Sequence, residues 1–230
     1  RYGDLTAEST SFFYQKSLDK LSTDKGVVFF SRKVSGKALK MTCWFKDDSM
    51  ELEGDVEFRV VDKSKSPLPF VMKGDAFSYG RKDKTGSARG NITFSQGQSQ
   101  GQAESFDFAL TQDEQYLRNL LLKGGARAYL VQDSSAAASG GALPLTKAQE
   151  REVTADEINL KAFEDVLRIN SLEAKGNCFL KSVSSSGESA EVRSEQMNIL
   201  FDRMGRLREL NGLKKAGLIE KAQDATITRT

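Results

Sequence analysis

The chain has 230 residues, and its 34 basic and 32 acidic side chains leave a formal net charge of +2. This balance disfavours a protein that holds nucleic acid on a concentrated basic face. The sequence contains no histidine, which excludes His-based catalytic triads and His metal sites. No apolar run approaches the roughly 18 residues of a membrane-spanning helix. We therefore expect neither His-based catalysis nor a metal site, and we expect no cofactor.

A short module recurs from the start of the chain. An alanine and an acidic residue open an alternating segment in Thr6-Ala7-Glu8, Gln102-Ala103-Glu104 and Thr154-Ala155-Asp156. A glycine with a second alternating segment follows, as in Arg89-Gly90-Asn91-Ile92 and Lys175-Gly176-Asn177-Cys178. Such repetition predicts a stacked architecture in which no unit buries its apolar face alone. Since glycine has no Cβ, each of these glycines is expected to mark a bend or bulge.

The predicted strands follow period-two alternation. Residues 113–122 carry apolar side chains at helical spacing and are compatible with a short helical turn. Residues 207–221 read as strand and turn, and 225–228 as the opening of a further strand. The predicted strands lie near 6–14, 26–33, 38–46, 50–61, 72–79, 88–95, 102–110, 154–162, 172–182 and 190–201.

The alternation also predicts one apolar, inward face. Counting three, five and seven residues from each alanine, or two and four from each glycine, reaches mostly large apolar side chains. Cys43 and Cys178 fall on this face in different units, so we expect two unpaired thiols. The predicted inner face consists of Phe12, Phe30, Met41, Phe45, Val56, Phe58, Phe77, Ile92, Phe94, Phe106, Phe108, Leu110, Ile158, Leu160, Leu180, Met197, Ile199 and Phe201.

The domain organisation follows from one stretch that lacks the pattern. Residues 133–141 are small and non-periodic, and with residues 142–151 they are expected to form a flexible loop or linker. Residues 1–132 hold the first set of repeats. Residues 152–230 hold further repeats, which either continue the same roll or form a second one.

The repeated alanine–acid and glycine–asparagine motifs resemble the OstA-like family of lipopolysaccharide-transport proteins, which includes LptA, LptC and the N-terminal domain of LptD. The resemblance covers nearly the whole chain outside 133–151 and is strongest at Val153 to Lys181. It implies an all-β fold, an open V-shaped β-jelly roll of stacked strand repeats. It also implies a non-enzymatic carrier that holds lipopolysaccharide acyl chains against the inner face and passes them toward the outer membrane.

The resemblance implies partners and a location as well. The expected partners are lipopolysaccharide, other Lpt proteins joined by edge-strand β-augmentation, and an inner-membrane ABC transporter; head-to-tail self-association is also expected. No nucleic-acid partner is expected. The expected location is the periplasm. Because the chain begins at Arg1 and opens almost at once into a repeat, we expect an upstream segment, which would include a membrane anchor in an LptC-like protein.

Two other function classes remain open. A structural or adhesive β-repeat protein would show the same alternation around a solid core, with the phenylalanines as ordinary core residues. A hydrolase or lyase on a β-sandwich is disfavoured by the missing histidine. Four basic residues at strand ends are candidate contacts for lipid phosphates, although ordinary solvated charge is the favoured explanation. They are Arg32, Lys33, Lys37 and Lys40.

Overall fold

The structure, a computed structural model, consists almost entirely of strands in one antiparallel sheet. It describes residues 5–31, 34–60, 69–112, 117–131, 148–162, 169–184, 187–203, 207–214, 216–222 and 225–229. Within these ranges the helical content is a single 3-10 turn, Lys16–Leu18. The predicted all-β class is therefore confirmed.

The sheet contains 17 strands. They are β1 (Thr6–Glu8), β2 (Phe13–Gln15), β3 (Lys20–Thr23), β4 (Val27–Phe30), β5 (Val34–Ala38), β6 (Lys40–Trp44), β7 (Ser49–Val60), β8 (Phe70–Gly80), β9 (Thr85–Gln96), β10 (Ser99–Leu110), β11 (Leu117–Val131), β12 (Ala148–Ala162), β13 (Ile169–Ser184), β14 (Ser189–Phe201), β15 (Leu207–Leu213), β16 (Gly217–Ala222) and β17 (Ala225–Arg229).

The strands from β7 to β14 form a simple meander, in which each strand pairs with the next one along the chain. At the two ends of the meander, pairs of shorter strands lie side by side with one longer neighbour. β5 and β6 both pair with β7, and β15 and β16 both pair with β14. β4 and β3 then add to β5 and β6, and β1 and β2 form the outermost row.

Every long strand changes register near its middle. The shifts lie at Glu53/Val56 in β7, Ala103/Ser105 in β10 and Lys175/Cys178 in β13. Each shift inserts residues that do not pair, which is the definition of a bulge. The predicted bends at the repeated glycines are therefore confirmed.

These bulges divide the sheet into two parts. The first half-sheet consists of residues 13–15, 20–23, 40–44, 49–53, 76–80, 85–89, 105–110, 117–123, 157–162, 169–175, 196–201 and 207–213. The second half-sheet consists of residues 6–8, 27–30, 34–38, 56–60, 70–74, 92–96, 99–103, 126–131, 148–155, 178–184, 189–193, 217–222 and 225–229.

The two half-sheets face each other. The ring centroids of Phe58 in the second half-sheet and Phe77 in the first lie 4.2 Å apart. Phe77 pairs with Leu52, which is six residues from Phe58 on the same strand. An extended strand would place those positions roughly 20 Å apart, at about 3.3 Å per residue. The rings meet only because the sheet folds over at the bulges.

One apolar core fills the space between the half-sheets, from Val27 in β4 to Phe201 in β14. Since β11 pairs directly with β12, the sheet is continuous across the sequence stretch expected to be a linker. β12 begins at Ala148, so residues 148–151 belong to a strand, which corrects the predicted linker boundary. Residues 132–147 lie outside the described residues.

The suggestion of a helical turn at 113–122 is wrong where it can be compared. Residues 117–122 belong to β11, and residues 113–116 lie outside the described part. Leu120 and Leu122 face the core while Lys123 is exposed, so the period is two. Pairing with both β10 and β12 decides the conformation there over a weak local helical spacing.

Two features are absent from the described residues. No helix among them is long and apolar enough to cross a membrane. In the same part of the chain, no group of three or more His, Cys, Asp or Glu side chains is placed to hold a metal ion.

Candidate functional site

The inner face of the folded sheet is the largest feature to which a function can be assigned. Most of the predicted inner-face residues lie there with 0–8% of their surface exposed: Met41, Val56, Phe58, Ile92, Phe106, Ile158, Leu160, Leu180, Met197, Ile199 and Phe201. Phe77, Phe94 and Phe108 are half-buried and pack against the same core. Leu110 is half-buried at the end of β10.

Aromatic rings line the interior in the N-terminal part of the sheet. Phe29 contacts Phe58 edge-to-face with centroids 5.2 Å apart, and Phe58 contacts Phe77 across the two half-sheets. Phe77 stacks on Phe108 at 5.8 Å, and Phe108 also lies parallel to Tyr79 at 6.1 Å. The rings form a continuous apolar surface that crosses from one half-sheet to the other.

Glycines on the same face make room for these rings. A Cβ added to Gly86 would overlap the ring of Phe108, and one added to Gly101 would overlap the ring of Phe94. The two rings therefore lie flat over neighbouring strands, and close backbone approach is the reason for glycine at these positions.

Methionines contribute a second, more adaptable part of the inner face. The sequence has five methionines, and Met41, Met50, Met72 and Met197 are 2–6% exposed inside the core. Methionine has an unbranched, flexible side chain that fills irregular space and tolerates rearrangement. An interior of this composition can rearrange around a guest molecule at modest cost.

Three predicted inner-face residues are misplaced. Phe30 is 41% exposed, whereas its neighbour Phe29 is fully buried. At four of the bends between the half-sheets, which we call corners, a glycine and the next residue both have positive φ. At Gly26 only the glycine has positive φ. One bulge residue is therefore missing, and counting two and four from Gly26 reaches the outward side chains instead of the inward ones.

Phe12 and Phe45 are each 38% exposed. Phe12 comes just before β2, and Phe45 comes just after β6. The alternation rule holds only where the backbone is extended, so it gives no orientation at these two positions. The prediction of one strand over residues 6–14 is wrong in the same way, because β1 and β2 are separate strands in that range.

The corners carry the repeated motif that defined the sequence pattern. Positive φ occurs at both residues of the pairs Gly54-Asp55, Gly90-Asn91, Gly124-Gly125 and Gly176-Asn177. The acid of the preceding module lies against the glycine of the next, and a Cβ on Gly176 would overlap the Asp156 carboxylate. The amide Nδ2 of Asn177 donates to both carboxylate oxygens of Asp156, at 3.2 and 3.1 Å. Asn91 donates in the same way to Asp75, at 3.2 Å.

This geometry explains the residue types of the module. Left-handed backbone is open to glycine and tolerated by asparagine. The preceding acid accepts a hydrogen bond from the side-chain amide of the asparagine on the neighbouring strand. The glycine, asparagine and acid of the motif therefore build the bend between the half-sheets, while its alanines Ala103 and Ala155 are buried in the core.

Two of the four basic residues considered for lipid phosphates, Lys37 and Lys40, are paired with acids on the outer face. Lys37 Nζ lies 3.8 Å from a carboxylate oxygen of Glu57, and Lys40 Nζ lies 3.4 Å from one of Glu53. Both lysines are more than half exposed, as expected for solvated charge. Arg32 and Lys33 lie outside the described residues.

The sequence reasoning missed a polar patch on the inner face. Arg151 in β12 is 5% exposed and pairs in register with Ser182 in β13, which is fully buried. The Cζ atom of Arg151 lies 5.9 Å from the ring centroid of Phe201 in the opposite half-sheet. Burial lowers the pKa of Arg151 from its ordinary value. The missed signal was the alternation Arg151, Val153, Ala155, which continues β12 back into the expected linker.

The two cysteines are free and buried, as predicted. Burial raises the pKa of the Cys43 thiol to about 11. Burial also raises the pKa of Cys178, and the charge of Asp156 adds to the effect. Both thiols behave as small apolar core groups.

Comparison with known proteins finds similarity among solved structures. A scan against family models and a search of curated proteins found no match. Among solved structures, the chain is similar to LptH of Pseudomonas aeruginosa, described as the LptA homologous periplasmic component of the conserved lipopolysaccharide transport device. The TM-score is 0.44 with 11% identity, over 74% of this chain and 97% of LptH. A likeness at this level carries no conclusion about function.

Proposed function

We propose that the protein is a non-enzymatic lipid carrier that holds the acyl chains of lipopolysaccharide between its two half-sheets. One observation carries the proposal: a mainly apolar inner face extends from β4 to β14, and this sheet is open. Among the described residues, no pairing joins the first row, β1 and β2, to the last strands, β15 to β17. A fold with unpaired edges along one apolar interior provides a slot.

Physical chemistry favours this use of the interior. Each methylene group removed from water is worth about 0.8 kcal/mol, so acyl chains do not cross an aqueous space unshielded. The phenylalanine rings offer broad apolar contact, and the four buried methionines allow the interior to repack around a chain. Both features suit a guest of variable shape better than a small polar substrate.

The sequence resemblance to the OstA-like family supplies the identity of the lipid and the setting. On that basis the chain works in the periplasm, as one component of a bridge that passes lipopolysaccharide to the outer membrane. Its partners are other Lpt proteins, which add their strands to its open edges, and an inner-membrane ABC transporter that supplies the lipid. An upstream segment anchors it to the inner membrane if it is the LptC-like component.

The outer edge of the first row, where β1 and β2 have no further strand beside them among the described residues, supports the proposed assembly. Phe13 and Tyr14 of β2 are 66% and 51% exposed, although most large apolar side chains of the described residues are at least half-buried. An exposed edge strand with apolar side chains is a site for pairing with another sheet. A neighbour added there would extend the inner face beyond one molecule.

A second candidate function rests on the low exposure of the core. Inner-face residues such as Leu52, Ile158 and Leu172 have no exposed surface, as expected in a structural or adhesive repeat protein with a solid core. The two candidates differ in whether the half-sheets separate to admit a guest.

Uptake of a fluorescent fatty acid distinguishes the two functions. The carrier function predicts saturable binding with a fixed stoichiometry per chain and competition by lipopolysaccharide. Photo-crosslinking from an inner-face position such as Phe106, compared with the outward neighbour Asp107, then locates the lipid. Absence of saturable uptake by folded protein would favour the solid core.

A further inference from the structure

A row of polar side chains crosses the outer face of the first half-sheet. Thr42, a member of the row, lies between the buried Met41 and Cys43, so the alternation points it outward. Directly paired residues share a face, and direct pairing connects Thr42 to one residue on each of β2, β3, β7, β8, β9, β10 and β11. In spatial order the row is Phe13, Ser22, Thr42, Glu51, Ser78, Ser87, Asp107 and Leu121. At about 4.8 Å between strands, it is roughly 34 Å long.

Two adjoining depressions follow this row. The first has a volume of about 370 Å³ and is lined in part by the row from Phe13 to Glu51. The second has a volume of about 530 Å³ and is lined in part by the row from Glu51 to Leu121. Since Glu51 lines both, they form one groove, which we call the outer groove. Each depression is large enough for a small molecule, so the outer groove has room for a chain of linked units.

The charges along the outer groove nearly cancel. Asp107 forms an ion pair with a lysine of β11 at 3.3 Å, and Lys40 pairs with Glu53 beside the first depression at 3.4 Å. Glu51 makes no ion pair within the described residues, and Lys20 lines the same depression with the opposite charge. A groove balanced in this way is not complementary to a polyanion or to a polycation. It suits an uncharged chain.

The outer groove meets its ligand through side chains. The backbone groups of its central strands already pair with neighbouring strands, whereas a peptide is bound by backbone pairing at a strand edge. Hydroxyl groups both donate and accept hydrogen bonds, and the carboxylate of Glu51 accepts them. The ring of Phe13, 66% exposed, adds a flat apolar surface at one end. The hydroxyl side chains of the row are those of Ser22, Thr42, Ser78 and Ser87.

We propose that the outer groove binds a linear, uncharged saccharide chain. A sugar ring carries many hydroxyl groups, which match the polar row, and an apolar face, which matches the ring of Phe13. Because the groove lies on the opposite side of the sheet from the lipid slot, this inference does not depend on the proposed carrier function.

The test is isothermal titration of the full chain with neutral oligosaccharides of three linkages: maltohexaose, cellohexaose and chitohexaose. At least one should bind saturably at millimolar concentration. Its affinity should exceed that of the corresponding disaccharide by about tenfold or more, since the longer chain contacts more of the row. A neutral glycine–serine decapeptide, which offers hydroxyls on a peptide backbone, should not bind.

Two variants connect the binding to the row. Thr42→Val removes a hydroxyl but keeps the β-branched shape, and Glu51→Gln removes the charge but keeps the size. Each should weaken oligosaccharide binding about three- to tenfold, the value of one hydrogen bond. The matched control is Thr93→Val, because Thr93 is also exposed on β9 but belongs to the second half-sheet, outside the groove. All three variants should take up the fluorescent fatty acid as the wild type does.

The outcomes decide the inference separately from the carrier function. If no oligosaccharide binds the folded wild type, or if binding is unchanged in both Thr42→Val and Glu51→Gln, the outer groove is not a saccharide site. If the decapeptide binds in place of the oligosaccharides, the occupant is a peptide and the inference is wrong. In each of these cases saturable fatty-acid uptake still tests the carrier function.

Discussion

Phe58 shows how single inner-face residues connect the two half-sheets. It is 8% exposed and lies between Phe29 on its own half-sheet and Phe77 on the opposite one. Its neighbour Glu57 points outward and pairs with Lys37 and Lys73, at 3.8 and 3.7 Å. Adjacent residues of one strand thus have unrelated roles, which makes them a matched pair for mutation.

Phe58→Glu should weaken lipid binding by about tenfold or more, because a carboxylate in an apolar slot costs several kcal/mol or stays protonated. The measurement is saturable binding of the fluorescent fatty acid. Glu57→Ala should leave binding unchanged and lower stability by less than about 1 kcal/mol, since it loses only exposed ion pairs. A retained cooperative melt is required of both variants. If folded Phe58→Glu binds as the wild type does, this part of the interior does not hold lipid.

The cysteines provide a residue-scale prediction that depends on pH. The Cys43 pKa is raised from 9.0 to about 11, so its thiolate is suppressed in the folded state. Alkylation of Cys43 at pH 8 should therefore be much slower in the native protein than in the unfolded protein. The unfolded protein should react at two thiols without any reductant, because neither cysteine is in a disulfide.

The sign of the pH effect on stability follows from the same shift. Below pH 9 the thiol is neutral in both states, and between pH 9 and about 11 only the unfolded state ionises. The Cys43 contribution to stability should fall across that window, as measured by urea unfolding at each pH.

The alkylation experiment has its own contrary outcome. Rapid alkylation of the native protein at pH 8 would show that the region around β6 opens readily.

At the scale of the structural element, the corner is the feature that folds one half-sheet over the other. It combines left-handed residues on one strand with an acid on the neighbouring strand. Gly176 has φ of +71° and lies against Asp156, whereas Gly187 has φ of +81° in a turn with open space around it. The two glycines therefore separate backbone strain from close approach.

Gly187→Ala should cost about 1–2 kcal/mol for the left-handed backbone alone. Gly176→Ala should cost about 2–4 kcal/mol, because the added Cβ also overlaps the carboxylate. Urea midpoints of the two variants measure the difference. Adding Asp156→Ala to Gly176→Ala should recover part of the loss through a positive coupling. Equal costs at both glycines would show that the corner does not depend on this contact.

At the scale of the whole molecule, the proposed self-association would use the open edge of the sheet. The outermost row presents β2, with Phe13 and Tyr14 exposed. Head-to-tail contacts through such an edge do not close into a ring unless the rotation permits, so assemblies should lengthen with concentration.

The double variant Phe13→Lys with Tyr14→Lys should shift a concentration-dependent assembly to monomers in sedimentation velocity, since charged edge strands resist pairing. Tyr14 pairs with Leu21, and Leu21 pairs with the buried Cys43, so Tyr14 lies on the inner side of the sheet and Phe13 on the outer side. Binding of the fluorescent fatty acid should still persist, because both side chains are more than half exposed at the edge and outside the buried core. Val28→Lys is the control, as Val28 is 54% exposed on β4, one row in from the edge. Unchanged assembly in the double variant would place the contact elsewhere.

The sequence by itself determined the strand class, the bends and most of the inner face. Period-two alternation depends only on backbone geometry, so residues such as Ile92, Ile158 and Met197 were placed correctly. The repeated glycine marked each bend because left-handed backbone excludes most other residues. These features are local, and a local signal suffices for them.

Only the tertiary structure decided what depends on pairing and on the folding of one half-sheet over the other. Phe30 turned outward because one bulge residue is missing at Gly26, and residues 117–122 became a strand because two neighbours pair with them. Arg151 became an interior residue only when β12 extended into the expected linker and placed it opposite Phe201. Contacts between residues far apart in sequence set these positions, and only Arg151 had a local signal, the alternation Arg151, Val153, Ala155.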